Sequence, residues 1–224
     1  MRGHFAFVED RLIAHRDQSQ DIWFQRFVNG DLVGNAWTEI GKVKIGDVNT
    51  RVQQNPKGQL QVNGEKYYST GSIYADWVDL FAFDETTDQH VIAAISTRDK
   101  GVTIRDDWDG FGQKTTGSGT INVENVVITR DHLLPFKQRF KYQTAFYQAF
   151  HLATLAGIAQ DALEHFKHEV AKRDRIFSHG NTDLVRHDPQ IIQVIGKASA
   201  QTYAAKTITL DVAAQLDVAY LSHF

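Results

Sequence analysis

The sequence predicts an α+β fold, with helices at both ends and short strands between. Three observations predict it. Apolar residues recur at helical spacing over residues 1–33 and again from residue 137 onward. Between these zones, turn signals bound apolar runs of strand length. Asp188-Pro189 is a strong helix start, with Asp as N-cap and Pro at the first helical position.

In residues 1–33, Phe5, Val8, Leu12 and Ile13 mark one helix. Ile22, Trp23, Phe27 and Val28 mark a second, which Asn29-Gly30-Asp31 ends. Both are short. Residues 34–130 change character. Turns are expected at Asn55-Pro56-Lys57-Gly58, at Asn63-Gly64 and from Asp84 to Gln89. Leu60 to Val62, Val78 to Phe83, Val91 to Ile95 and Thr120 to Ile128 read as strands, and their spacing suggests an antiparallel barrel or sandwich. Residues 131–224 are mainly helical. Phe140 to Val170 carries apolar residues on more than one face, the pattern of a helix buried in a bundle. A polar loop, Arg173 to His187, leads to a helix bearing Ile191, Ile195, Ile208 and Leu216. Two such helices make half of a four-helix bundle, so they need further helices to cover their apolar faces.

The chain has 224 residues, enough for one large domain or two small ones, and 42% are apolar. A net charge of -3 argues against a general nucleic-acid binder. There is no cysteine, hence no thiolate chemistry and no disulfide framework. The first residues do not read as a secretory leader, and no run of about 18 apolar residues predicts a membrane span. A cytoplasmic protein is expected. Neither a Walker A segment, a Rossmann glycine fingerprint nor a G-x-S-x-G elbow occurs. The ten histidines are scattered. His165 and His168 stand three apart on a predicted helix with only Glu164 and Glu169 nearby, so a solvated face is expected and no metal site. Asp106, Asp107 and Asp109 read as an exposed acidic loop.

Three segments carry more information. They are GNAWTE at 34–39, NGEKYYSTGSIYADW at 63–77 and RDDWDGFGQKTTGSG at 105–119. Each sets aromatic rings beside hydroxyls and glycines, which suits either ordinary β-turns with a Trp plugging a barrel end or a surface for a flat ligand with a polar edge. In this order, and followed by INVENVVI, they resemble the middle β-domain of the acyl-CoA dehydrogenase superfamily. The resemblance is closest to its flavin-dependent monooxygenase branch, which serves sulfur acquisition.

That resemblance implies a central antiparallel β-barrel that binds a flavin, FMN or FAD. It places Tyr68 against the ring, Thr70 at the ring's N5/O4 edge, and Thr38 at a second contact with Trp37 beside it. Trp108 and Ser118 border the site, and Asn35 meets the substrate. Arg175 either clamps a flavin phosphate or is a loop charge on the surface. The implied activity is a two-component monooxygenase. It uses reduced flavin from a separate reductase, and O2, to oxygenate a small organic substrate. An FAD-dependent acyl-CoA dehydrogenase is the alternative. Against it, Ile40 to Asp47 stands where dehydrogenases carry Gly-Ser-Asp. Most of the family's N-terminal helical domain and its last bundle helices have no counterpart here, so no catalytic residue is assigned. A homo-oligomer is implied. A non-catalytic fragment, or a subunit completed by a second polypeptide, is a further expectation.

Overall fold

The computed structural model describes residues 1–16, 18–41, 47–176, 178–180 and 182–222. The chain divides into two compact units, Met1–Lys141 and Tyr142–Phe224.

The first unit is built on an eight-stranded sheet. Its strands are β1 (Val33–Ala36), β2 (Arg51–Gln54), β3 (Leu60–Lys66), β4 (Trp77–Asp84), β5 (Gln89–Ser96), β6 (Val102–Ile104), β7 (Ile121–Ile128) and β8 (Leu133–Pro135). The order is β6-β7-β3-β2-β4-β5-β8, with β1 beside β4. One apolar core, containing Val52, Val62, Leu80, Ile95 and Ile121, takes side chains from every strand. The sheet wraps this core without closing, so the closed antiparallel barrel is corrected to an open mixed sheet. The short end strands β6 and β8 are not paired with each other. In addition, β1 and β2 both run parallel to β4, and β2 meets it through two residue pairs only.

Local chemistry explains most elements. Asn55 Oδ1 accepts from the N–H groups of Lys57 and Gln59, both at 2.9 Å, which closes the β2–β3 turn. Asp84 Oδ1 similarly accepts from Thr86 N at 2.9 Å in the β4–β5 turn. The expected turn at Asn63-Gly64 is absent. Both residues lie inside β3, where its register on β7 shifts between Val62 and Gly64. A Cβ at Gly64 would collide with Thr50 Oγ1, so glycine serves a close approach of backbone and side chain here.

Helices α1 (Arg2–Ala14) and α2 (Asp21–Val28) pack on the sheet through a second cluster of Phe7, Trp23, Val33, Ile92, Ala94 and Leu134. Trp23 is fully buried, edge-on to Phe7 at 5.0 Å and to Trp77 at 5.2 Å. Its indole N–H donates to the Asp131 carbonyl at 3.0 Å. This interface also holds charge. Arg139 Nε donates to Asp10 Oδ2 at 2.6 Å, with both side chains out of solvent. Asp79 lies buried nearby, and burial pushes its carboxyl well above the ordinary range, against the pull of the Arg139 charge.

The second unit pairs α3 (Gln143–Lys172) with α4 (Pro189–Leu221). Asp188 caps α4, accepting from Gln190 N at 2.8 Å. Leu163 and Val170 of α3 are buried, but Leu155, Ile158, Ile208 and Leu210 are each more than half exposed. This pair alone therefore leaves apolar faces of both helices uncovered, as expected of half a bundle. Among the described residues no helix is long and apolar enough to cross a membrane.

Candidate functional site

Hydrogen bonding gathers the motif residues at one end of the sheet. After β3 the chain bridges back to the GNAWTE segment, where Tyr67 N donates to Thr38 O at 2.8 Å. Tyr68 then takes a positive φ of 57°, which a bulky residue rarely adopts outside a functional or strained turn. Its ring is about half exposed. It lies 4.7 Å from the Tyr67 ring and 5.6 Å from that of Trp108.

Thr70 follows on the same surface. Its carbonyl accepts from Asn35 N at 3.3 Å, and its hydroxyl lies 3.0 Å from that of Ser118. Ser118 Oγ is in turn 2.9 Å from Thr116 Oγ1. Ser69 Oγ donates to Gly119 O at 2.8 Å and fastens the two segments together. A Cβ at Gly117 would strike Ile73 and Tyr74, so the approach of 116–119 to the turn at Ser72–Tyr74 requires glycine.

The loop between β6 and β7 is held at its base. Asp107 accepts from Thr120 N and Thr120 Oγ1, both at 2.7 Å. The Thr120 hydrogen bond holds the Asp107 carboxyl below its ordinary value, despite partial desolvation. Of the acids read as solvated, Asp107 is therefore a loop anchor. Trp108 Nε1 donates to Gly112 O at 2.8 Å, and the ring folds over Gly110.

The structure thus brings Thr38, Tyr68, Thr70, Trp108 and Ser118 into one linked set. Trp37 turns its ring elsewhere. It packs on Phe81 and Phe136 at about 6 Å, with the Arg139 guanidinium 4.5 Å from its ring centre. Its indole N–H is directed at Asp79 and opposes that carboxyl's upward shift, yet neither Trp37 Nε1 nor Asp79 Oδ1 closes a hydrogen bond of normal geometry. Asn35 is half-buried, and its side chain abuts Gly3 of α1. Arg175 belongs to the second unit, where it is exposed in the segment after α3. Its neighbour Phe177 and residues 42–46 of the Ile40 to Asp47 segment lie outside the described residues.

Two residues that the motifs did not single out underpin the set. Glu39 follows Thr38, and Lys66 precedes Tyr67. Lys66 Nζ donates to Glu39 Oε1 at 2.6 Å, with side-chain exposures of 1% and 6%. The detectable signal was Lys66's place in β3, on the alternation of the inward-facing Leu60 and Val62. Among the described residues no group of three or more His, Asp or Glu is placed to hold a metal ion.

Residues 35–126 match the model of the acyl-CoA dehydrogenase middle domain. These residues form an acyl-CoA dehydrogenase middle domain. The chain is 25% identical to a probable FMNH2-dependent monooxygenase, SfnC, of Pseudomonas putida, over 97% of this chain and 55% of that protein. It is 31% identical to a dibenzothiophene monooxygenase of Rhodococcus erythropolis, over 66% of this chain and 36% of that one. Among solved structures, FMN-bound TdsC of Paenibacillus sp. A11-2 matches with a TM-score of 0.77 and 25% identity, over 94% of this chain and 57% of that one. Methanesulfinate monooxygenase MsuC of Pseudomonas fluorescens shares the fold, with a TM-score of 0.79 and 23% identity, over 98% of this chain and 57% of that one. The chain thus spans roughly a third to a little over half of these relatives' length.

Proposed function

We propose that this protein is a flavin-dependent monooxygenase, using reduced flavin and O2 on a small, sulfur-containing organic substrate. The observation that carries the reading is the rim formed by the Tyr68 and Trp108 rings beside the Thr70 and Ser118 hydroxyls. A flavin ring is flat and apolar across its middle and polar at one edge, so exposed rings next to fixed hydroxyls fit it. The names of the relatives support the same reading.

In this reading Tyr68 and Trp108 receive the ring, Thr70 meets its N5/O4 edge, and Thr38 holds a second polar contact. Ser118 fixes Thr70, and Trp37 anchors the segment after β1 that carries Thr38. Asn35 meets the substrate. Reduced flavin, when bound, gives O2 two electrons, so that one oxygen atom enters the substrate and the other leaves as water. The chain's own part is to bind and orient the ring.

The test is a titration of the purified chain with FMN, read by flavin fluorescence and the visible absorption band. Saturable binding that weakens at least tenfold on Tyr68→Ala supports the reading. No binding of oxidised or reduced FMN or FAD sinks it. An acyl-CoA dehydrogenase is the weaker alternative, because the dehydrogenase Gly-Ser-Asp has no match in the sequence of residues 40–47.

The partners belong to the same proposal: a flavin reductase, and a second polypeptide or further copies of the chain over the second unit. Leu155 and Leu210 are each more than 60% exposed, and the relatives carry more chain than this one. Contiguous apolar patches beyond about 300–600 Å² mark interfaces or aggregation. Sedimentation at low micromolar concentration should show self-association. A cooperatively melting monomer would remove the need for a partner.

A further inference from the structure

The hydroxyls of Thr116, Ser118 and Thr70 form a chain whose protons run one way. Thr116 Oγ1 donates to the Gln113 carbonyl at 2.7 Å. A carbonyl only accepts, so the Thr116 proton is committed there. The 2.9 Å contact between Thr116 and Ser118 must then use the proton of Ser118. The 3.0 Å contact between Ser118 and Thr70 must in turn use the proton of Thr70. The alternative acceptor for Thr70 is the Tyr68 carbonyl at 3.3 Å, and donation there also spends the proton within the protein. Either way, Thr70 keeps only lone pairs for a ligand. Gln113 and Thr70 are exposed and Ser118 is buried, so the chain runs from the β6–β7 loop through a buried hydroxyl to the rim.

We propose that Ser118 and Thr116 are positioning residues that make Thr70 a hydrogen-bond acceptor, and so bias the site toward reduced over oxidised flavin. This rests on the flavin reading above. N5 of an oxidised flavin has a lone pair and no proton, whereas N5 of the reduced ring carries one. An acceptor hydroxyl beside N5 therefore gains a hydrogen bond with the reduced form. With the oxidised form it faces another acceptor, an unmade bond that costs affinity. The bias is encoded by the backbone carbonyl of Gln113, which three hydroxyls separate from the ligand.

The experiment measures binding of oxidised and of dithionite-reduced FMN to the whole chain, and the midpoint potential of the bound flavin. In Ser118→Ala the Thr70 proton keeps only the longer, 3.3 Å contact with the Tyr68 carbonyl, and can turn outward to a ligand. The preference for reduced FMN should fall about tenfold, which lowers the two-electron midpoint potential by about 30 mV. Thr116→Val should act in the same direction, because Ser118 can then donate to Thr70. It also supplies the answer if Ser118→Ala fails to fold. A purely structural loss weakens both redox forms alike and leaves the potential where it was. If wild type binds FMN and a folded variant keeps the wild-type potential, the proposal is overturned. If wild type binds neither redox form, the flavin reading falls and takes this proposal with it.

Discussion

Asp10→Ala is expected to cost roughly 3–5 kcal/mol of stability, the usual effect of stripping one partner from a buried ion pair. The Arg139 and Asp10 side chains are 1% and 0% exposed and meet at 2.6 Å. Alanine would leave the guanidinium charged and without that carboxylate, deep in the α1–sheet interface. Urea titration should show a lower midpoint with a similar slope; an unchanged midpoint would mean that solvent reaches Arg139. The same pair has a pH signature. Burial pushes the Asp10 carboxyl up from 3.8 to about 6, although Arg139 pulls it down. For an acid raised on folding, the unfolded chain loses its proton first. The stabilisation is thus complete below pH 3.8 and is lost as pH rises through about 6. Two pKa units correspond to about 3 kcal/mol. Buried Asp79, also raised, contributes with the same sign. Melting temperatures should therefore carry a component that falls between pH 4 and 6, and Asp10→Asn should remove it. The two statements are compatible: the charged pair is costly to bury, but Arg139 stripped of the Asp10 carboxylate is costlier.

Lys66→Met is expected to have the second-largest effect, roughly 3 kcal/mol, and to reach the site as well. Glu39 Oε1 accepts from Lys66 Nζ at 2.6 Å, Thr50 Oγ1 at 2.7 Å and Thr50 N at 2.9 Å, and Oε2 accepts from Asn49 N at 2.7 Å. Burial pushes the Glu39 carboxyl up, but the bonds from Lys66, Asn49 and Thr50 outweigh it and hold it below 4.5. For Lys66, burial outweighs Glu39 and lowers the ammonium. The two partners thus disagree on whether pairing beats desolvation. The geometry decides for a charged pair, because a carboxylate with four donors is well satisfied. Glu39's share of stability is present above its ordinary value of 4.5 and is lost as pH falls through the lower folded value. Methionine at 66 leaves a buried carboxylate without its counter-charge. The Thr38–Tyr67 bridge lies one residue from each partner, so FMN affinity should fall about tenfold with stability. Glu39→Gln combined with Lys66→Met should recover much of the stability, since no charge then remains buried. Full stability in the single variant would show that Glu39 is served by its three other donors alone.

The helices and four of the eight strands, β3, β4, β5 and β7, were legible because local chemistry decides them. Asp188-Pro189 starts a helix wherever it is placed, and Asn55 closes its own turn with its side chain. The candidate rim was read differently. Rings, hydroxyls and glycines in three segments suit a turn as well as a flat ligand, and only their joint resemblance to a known β-domain singled them out. Asn63-Gly64 shows the limit. The dipeptide suits a turn, yet it lies in a strand because Thr50, distant in the chain, fills the space beside Gly64.

By itself, then, the sequence determined the α+β class, the helices at both ends and the longer strands between them. The tertiary structure alone decided the rest. It left the sheet open, because β1 and β2 both run parallel to β4 and the short end strands are not paired with each other. It turned Trp37 onto Arg139 while Thr38 bridged to Tyr67. It also paired Glu39 with Lys66 and Asp10 with Arg139 across 27 and 129 residues of chain. The physical reason is range. Capping, turn chemistry and periodicity act within a few residues, whereas the burial of a charge depends on which distant group arrives to neutralise it.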